Sequence, residues 1–307
     1  MSIAIIAPYK KDIPVWKETF KKLAPELTLE IYPDIKNAKE VDTVVVWQHP
    51  HGLLRDFPNL KLICSMGSGV DHIVADPNLP ENIPVTRIVD PRLTYSMTNY
   101  VIMGILNYHR QFTRYQADKV TKSWDMSNPE IDISVGVLGT GQLGGDVLDK
   151  LAAIGIPACG YGNSPKEGYR HSYYHGEALD DFLKRVNVIV CLLPLTERTE
   201  GFLNKDLFRR FNPGTYLINV ARGKHLVEED LLHALSEGWI SGALLDVFIQ
   251  EPLPVEHPFW DHPQIMITPH IACITMYEAA VPQILENRRR LHAYEPLANQ
   301  IDLSQGY

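Results

Sequence analysis

Apolar and polar positions along the chain fall into two alternating series. In the first, short apolar runs at Ile3–Ala7, Thr43–Trp47 and Leu62–Met66 flank a segment, Trp16–Leu27, with helical spacing. The second has apolar runs at Ile133–Leu138, Ile156–Tyr161, Val186–Leu193, Thr215–Val220, Gly242–Phe248 and Ile265–Thr268. Between the two series, Tyr100–Arg114 has helical spacing and is followed by a polar stretch with an Asn128-Pro129 turn signal. Gln142–Ile154 reads as a helix capped by Gly155. Strands that alternate with helices predict parallel sheets with helices on both faces. The final predicted helix, Met276–Ala293, has no strand after it. That pattern predicts two α/β domains, the second inserted into the first.

A length of 307 residues fits about two domains. Apolar residues make up 45% and charged residues 21%, which is ordinary for a globular protein. The net charge is −8, and the densest basic run, Arg288–Arg290, falls in a predicted helix. Nucleic-acid binding relies on phosphate neutralisation, so it is not expected. The opening MSIAIIAPYKKD has no basic leader and reads as a first buried strand. No run approaches about 18 apolar residues, so no membrane span is expected. Cys64, Cys159, Cys191 and Cys273 are isolated and read as reduced core thiols of a cytoplasmic protein. The pairs His49/His51 and His257/His262 lack a third ligand, so no metal site is expected.

The stretch GVLGTGQLGGD places Gly139, Gly141 and Gly144 in the spacing G-x-G-x-x-G, between a predicted strand and a predicted helix. In that setting the glycines allow a tight turn, close approach of a pyrophosphate and close helix–sheet packing. The helix N-terminus offers N–H groups and partial positive charge to phosphate. Thr140, Gln142 and Leu143 belong to the same candidate cofactor loop. At the end of the next strand, dinucleotide sites that select NAD carry an acidic residue. Here that position is Gly162, followed by Asn163, Ser164 and Lys166. Without the carboxylate a 2′-phosphate is tolerated, which favours NADPH, with NADH still accommodated. The alternative is a solvated loop that discriminates little.

Three later stretches carry a resemblance: NVARGKHLVEEDLL, ALLDVFIQEPLP and TPHIACIT. With the glycine loop they resemble the D-isomer-specific 2-hydroxyacid dehydrogenase family over nearly the whole chain. VVVWQHP, SMGSGVDHI, FWDHPQIMITPHIA and the C-terminal NQIDLSQGY are similar to the branch of that family that reduces glyoxylate and hydroxypyruvate. Asn163 departs from it, since related NADPH-using sequences carry Arg there. The resemblance implies a Rossmann-type cofactor domain, 99–276, inserted in a flavodoxin-like substrate domain, 1–98 and 277–307. It implies Arg222, Glu251 and His270 as the catalytic set. Arg222 can polarise the oxygen of a 2-oxoacid carbonyl and hold the carboxylate. His270 can supply the proton. Glu251 can favour the charged ring by pairing with the nitrogen turned away from substrate.

The resemblance extends the candidate cofactor contacts to Leu193, Pro194, Val220, Ala221 and Asp246, with Arg222 and His270. It implies a substrate loop at Gly67, Ser68, Gly69 and Val70, whose backbone N–H groups can form an anion nest. It also implies that Trp47 limits substrate size, against the plain reading of a core tryptophan. Family likeness further implies a homodimer formed through the cofactor domain, with Tyr100–Tyr108 as one interface element. A hinge is expected near Thr98–Asn99 and near Ile274–Tyr277. Reduction of glyoxylate or hydroxypyruvate is the leading reading. The alternatives are a larger 2-oxoacid such as phenylpyruvate, and an NAD(P)H-sensing interaction module.

Overall fold

β1 (Ser2–Ile6), β2 (Leu29–Ile31), β3 (Val41–Val46), β4 (Leu62–Ser65) and β5 (Val85–Thr86) pair in parallel in the order β2-β1-β3-β4-β5. This is the flavodoxin-like order. Successive side chains of a strand point to opposite faces, and both faces here are covered. Ile3, Ile5, Val45 and Cys64 pack with Trp16 and Phe20 of the helix Ile13–Leu23 and with Val281 and Ile284 of the helix Tyr277–His292. Ala4, Ile6, Val44 and Ile63 pack on the other side with Leu54, Phe57 and Ile73.

β6 (Val135–Leu138), β7 (Ala158–Gly162), β8 (Tyr173–His175), β9 (Val188–Cys191), β10 (Thr215–Asn219), β11 (Ile240–Leu245) and β12 (Ile265–Ile267) form a second parallel sheet. Its order is β12-β11-β10-β9-β6-β7-β8. That is the doubly wound Rossmann order, in which strand succession reverses between β6 and β9. Ligands of such sheets bind beyond the carboxyl ends of the strands at that reversal.

The structure is a computed structural model that describes residues 1–8 and 11–303. Tyr9 and Lys10 of the N-terminal stretch, and Ser304–Tyr307 of NQIDLSQGY, lie outside the described residues. The chain divides into two compact units, Met1–Leu93 with Ile274–Tyr307, and Thr94–Cys273. Among the described residues no helix is long and apolar enough to cross a membrane. Nor does any group of three or more His, Cys, Asp or Glu side chains among them form a metal-binding set.

In the first unit a buried carboxylate ties the last helix to the sheet. Asp42 accepts from Arg288 Nε at 3.0 Å and Nη2 at 2.9 Å, and lies 3.0 Å from His292 Nε2. Its side chain is 1% exposed. Removing one partner of a buried pair leaves the other charge uncompensated. Asp42→Ala is therefore expected to lower unfolding free energy by about 3 kcal/mol. The check is a lower urea midpoint with an unchanged slope.

The expected helix at Tyr100–Arg114 is instead two. One spans Pro91–His109 and the next Phe112–Thr121, separated by Gln111 at φ 52°. A left-handed residue cannot continue a right-handed helix, and nothing in the apolar spacing marks it. Gly155 does cap the helix Gln142–Ala153. At φ +76° its N–H donates to Ala152 at 3.1 Å, and Ile156 N–H donates to Leu151 at 2.9 Å. Those two bonds form a Schellman motif.

Candidate active site

The glycine turn joins β6 to the helix Gln142–Ala153, and the backbone requires glycine at two of its three glycine positions. Gly139 adopts φ +91°, and a Cβ there would lie 2.6 Å from the carbonyl oxygen of Leu192. At Gly144 a Cβ would lie 2.0 Å from the Gly139 carbonyl oxygen, so only glycine lets the helix approach the strand end this closely. Gly141 differs, because a Cβ there would meet nothing within 4 Å. The open side of Gly141 borders a helix N-terminus that no side chain caps. First-turn N–H groups of such a helix are donors for an anion. The arrangement fits a dinucleotide pyrophosphate. Thr140 is buried, Leu143 packs on the core and Gln142 is exposed.

At the end of β7, a Cβ at Gly162 would lie 2.5 Å from the Tyr173 hydroxyl. Tyr173 thus stands where an acidic side chain would go, and its hydroxyl donates to Ser164 O at 2.7 Å. Asn163 and Ser164 are exposed. Lys166 Nζ donates to the Thr140 carbonyl, and its ammonium lies 4.7 Å from the Tyr169 ring centre. The Lys166 cation therefore reaches the glycine turn. Arg170 is drawn off to Asp149, which also bonds His171 at 2.6 Å.

The loops after β9, β10, β11 and β12 hold the remaining candidates of this unit. Val220 and Ala221 are buried, Leu193 is half-buried and Pro194 is exposed. Arg222 follows in extended backbone, and its Nη1 donates to Ala221 O at 2.6 Å. Asn219, fully buried, braces the turn. Its Nδ2 donates to Arg222 O at 3.1 Å and its Oδ1 accepts from Ala221 N at 3.2 Å.

Glu251 and His270 meet directly, with Oε2 2.8 Å from Nδ1. Glu251 Oε1 accepts from Phe248 N at 3.0 Å, which sets the carboxylate's orientation. Burial pushes the Glu251 carboxyl up, but its bond to His270, the His270 charge, the Phe248 N–H and the Arg222 charge outweigh burial. The net direction is down, so the group stays ionised.

His270 itself sits at φ 55°, a conformation that side-chain-bearing residues adopt at a cost. The turn that imposes it is organised by Asp246. His270 N donates to Asp246 O at 2.8 Å. The Asp246 carboxylate accepts from Thr268 Oγ1 at 2.6 Å, Ile271 N at 2.8 Å and Ala272 N at 2.8 Å. Tyr100 hydrogen-bonds Thr268 in turn. Burial pushes the Asp246 carboxyl up and these bonds oppose it without reversing it. Burial likewise raises the Tyr100 hydroxyl to about 12. Tyr100 and Thr268 were not among the sequence candidates, and no motif marks a hydroxyl pair far apart in the chain.

In the first unit, Trp47 lies against the substrate-loop candidates. A Cβ at Gly67 would lie 2.9 Å from the Trp47 ring. Gly67 N donates to Ser65 Oγ at 3.2 Å, and Ser65 Oγ donates to Gly69 O at 2.7 Å. Gly67 is therefore a turn residue whose amide is used inside the loop. Among the described residues, the N–H groups of Ser68, Gly69 and Val70 have no protein acceptor. Adjacent amides of this kind can receive an anion.

A parallel doubly wound sheet, a glycine turn opening an uncapped helix N-terminus and an Arg with a Glu–His pair fit a dinucleotide-dependent oxidoreductase. The comparisons agree. A family model described as "D-isomer specific 2-hydroxyacid dehydrogenase, NAD binding domain" matches residues 102–272. A glyoxylate/hydroxypyruvate reductase A from Serratia proteamaculans is 40% identical over 278 residues, covering 88% of each chain. One from Photorhabdus laumondii is 37% identical over 304 residues, covering 96% of this chain and 97% of its own. Among solved structures, the NADPH-dependent glyoxylate/hydroxypyruvate reductase of Sinorhizobium meliloti, in complex with NADP and sulfate, superposes with a TM-score of 0.90. It is 34% identical, with 100% of both chains covered. A D-isomer specific 2-hydroxyacid dehydrogenase of Xanthobacter autotrophicus, in complex with NADPH and MES, also gives 0.90. It is 37% identical, with 100% and 99% covered. The chain belongs to the D-isomer-specific 2-hydroxyacid dehydrogenase family. It is an NAD(P)H-dependent oxidoreductase.

Proposed function

We propose that the protein reduces glyoxylate to glycolate and hydroxypyruvate to D-glycerate, with NADPH as the preferred cofactor. The observation that carries this is the Glu251–His270 pair at 2.8 Å in the same unit as Arg222 and the glycine turn. The relatives named above supply the substrate class. NADPH bound at the turn supplies a hydride to C2 of the 2-oxoacid. Arg222 stabilises the negative charge that grows on the carbonyl oxygen, because guanidinium is a fixed cation with forked donors. Glu251 occupies Nδ1 of His270, which leaves Nε2 to give its proton to the new alkoxide. That proton is replaced from water. The amides of Ser68, Gly69 and Val70 take the substrate carboxylate. Trp47, held against Gly67, favours small acids.

Gly139, Thr140, Gly141, Gln142 and Leu143 hold the pyrophosphate. Gly162, Asn163, Ser164 and Lys166 face the adenosine end. Leu193, Pro194, Val220, Ala221 and Asp246 line the nicotinamide end. Lys166→Ala is expected to raise the NADPH Kd about tenfold and the NADH Kd by less, since both cofactors carry the pyrophosphate but only NADPH adds a charged 2′-phosphate acceptor. Fluorescence titration with both cofactors checks this.

The whole reading is tested by initial rates with glyoxylate, hydroxypyruvate, pyruvate and phenylpyruvate, each with NADPH and NADH. Fast NADPH oxidation with the first two supports it. A preference for phenylpyruvate overturns the substrate assignment. Tight NADPH binding with no turnover of any acid overturns the activity.

Two further features belong to the proposal. Met103, Leu106, Phe112, Trp124 and Met126 of the second unit are exposed apolar side chains, and we assign them to a homodimer interface. A cytoplasmic location accords with four free cysteines, three of them buried.

A further inference from the structure

We infer that His225 is a positioning residue that ties the Arg222 backbone to the Pro194 loop, an inference that rests on the roles proposed above for those two residues. The His225 imidazole is completely buried. Its Nδ1 lies 3.2 Å from both the N–H and the carbonyl oxygen of Arg222. Its Nε2 lies 3.3 Å from the carbonyl oxygen of Pro194. With the proton on Nε2, the ring donates to Pro194 and accepts from the Arg222 N–H.

Both sides of this bridge are themselves anchored. The Pro194 carbonyl also accepts from Thr199 Oγ1 at 2.6 Å. His225 O accepts from Leu203 N at 2.8 Å, and Lys224 O accepts from Gly201 N at 2.9 Å. The ring therefore joins the loop after β9 to the loop after β10. The first is proposed to face the nicotinamide and the second presents the guanidinium. A buried polar ring costs desolvation unless its nitrogens are bonded. An aliphatic side chain would fill the same space without that cost, so packing alone does not account for a histidine here. The bridge fixes the separation of two loops whose spacing sets hydride alignment.

The test compares His225→Leu, His225→Asn and His225→Gln in the full chain. The asparagine amide reaches only the Nδ1 position, and the glutamine amide reaches the Nε2 position. His225→Leu loses both bonds. Its kcat/KM for glyoxylate is expected to fall roughly 100-fold, the scale of a small misplacement of a reacting group, and its NADPH Kd to rise severalfold. His225→Gln is expected to recover NADPH Kd but not kcat/KM. His225→Asn is expected to recover most of kcat/KM but not NADPH Kd. If Leu fails to fold, the contrast between Asn and Gln decides. Equal behaviour of the variants in both readouts, whether all near wild type or all equally impaired, overturns the inference. NADPH Kd is read by fluorescence without substrate. A wild type that reduces neither acid therefore overturns the proposed activity, while the Kd contrast still judges His225.

Discussion

His270→Ala is expected to lower kcat for glyoxylate by about 10³-fold, the middle of the range for a positioned general acid. NADPH affinity should stay within about twofold, the size of a minor contact loss. Reduction at C2 leaves an alkoxide, a strong base that needs a proton from a positioned acid. Of the Arg222, Glu251 and His270 set, His270 is the group that can give a proton at a defined atom. Glu251 is held ionised and so has none to give. A guanidinium such as that of Arg222 serves as a fixed charge and not as a proton donor. KM should change little, because the proton is needed only as the transition state forms. Glu251→Gln keeps a hydrogen-bond partner for Nδ1 without the charge, so its loss should be smaller. The measurement is single-turnover NADPH oxidation for the three proteins. A His270→Ala rate within tenfold of wild type would place the proton donor elsewhere.

The sequence marks the central strands because buried strands must be apolar, and it marks the glycine turn because steric needs at Gly139 and Gly144 and an open helix N-terminus at Gly141 fall at fixed spacing. The edge strands β2, β5 and β8 escaped notice. They have 3, 2 and 3 residues, and an edge strand need not be apolar on both faces. The break at Gln111 escaped for a different reason, since helical spacing of apolar residues continues across it. Within the candidate site, Arg222, Glu251 and His270 were named from motifs. What joins them was not legible. The carboxylate of Asp246 organises backbone amides at 271 and 272, and His225 bridges to a carbonyl at 194. These are contacts between loops at the ends of different strands. They depend on strand order, which hydrophobic pattern alone does not specify. Side-chain chemistry repeats at readable intervals, whereas backbone proximity leaves a trace only where it demands glycine.

Gly223 is such a trace, and Gly223→Ala is expected to lower kcat/KM by about 100-fold, the effect of roughly 1 Å of misalignment. A Cβ at this position would lie 1.9 Å from the Phe248 carbonyl carbon, 2.1 Å from its oxygen and 2.3 Å from Ile249 N. Carbon atoms rest at about 3.5–4.0 Å, so the two loops must part by more than 1 Å by that measure. No side-chain rotation relieves the overlap, because all three atoms are backbone. The displaced loop carries the Phe248 N–H that orients Glu251 at 3.0 Å, and Glu251 in turn holds His270 at 2.8 Å. The other loop carries Arg222. One methyl group therefore separates the guanidinium from the acid–base pair while removing none of them. Overpacking of this kind also costs about 1–3 kcal/mol of stability, so melting temperature is measured alongside. The glycine turn at 139–144 is a different loop, so NADPH Kd should rise no more than severalfold, through the nicotinamide end alone. A variant that loses NADPH binding along with activity would point to general disorder of the unit. Wild-type kcat/KM would show that the loops tolerate the separation and that alignment does not depend on their contact.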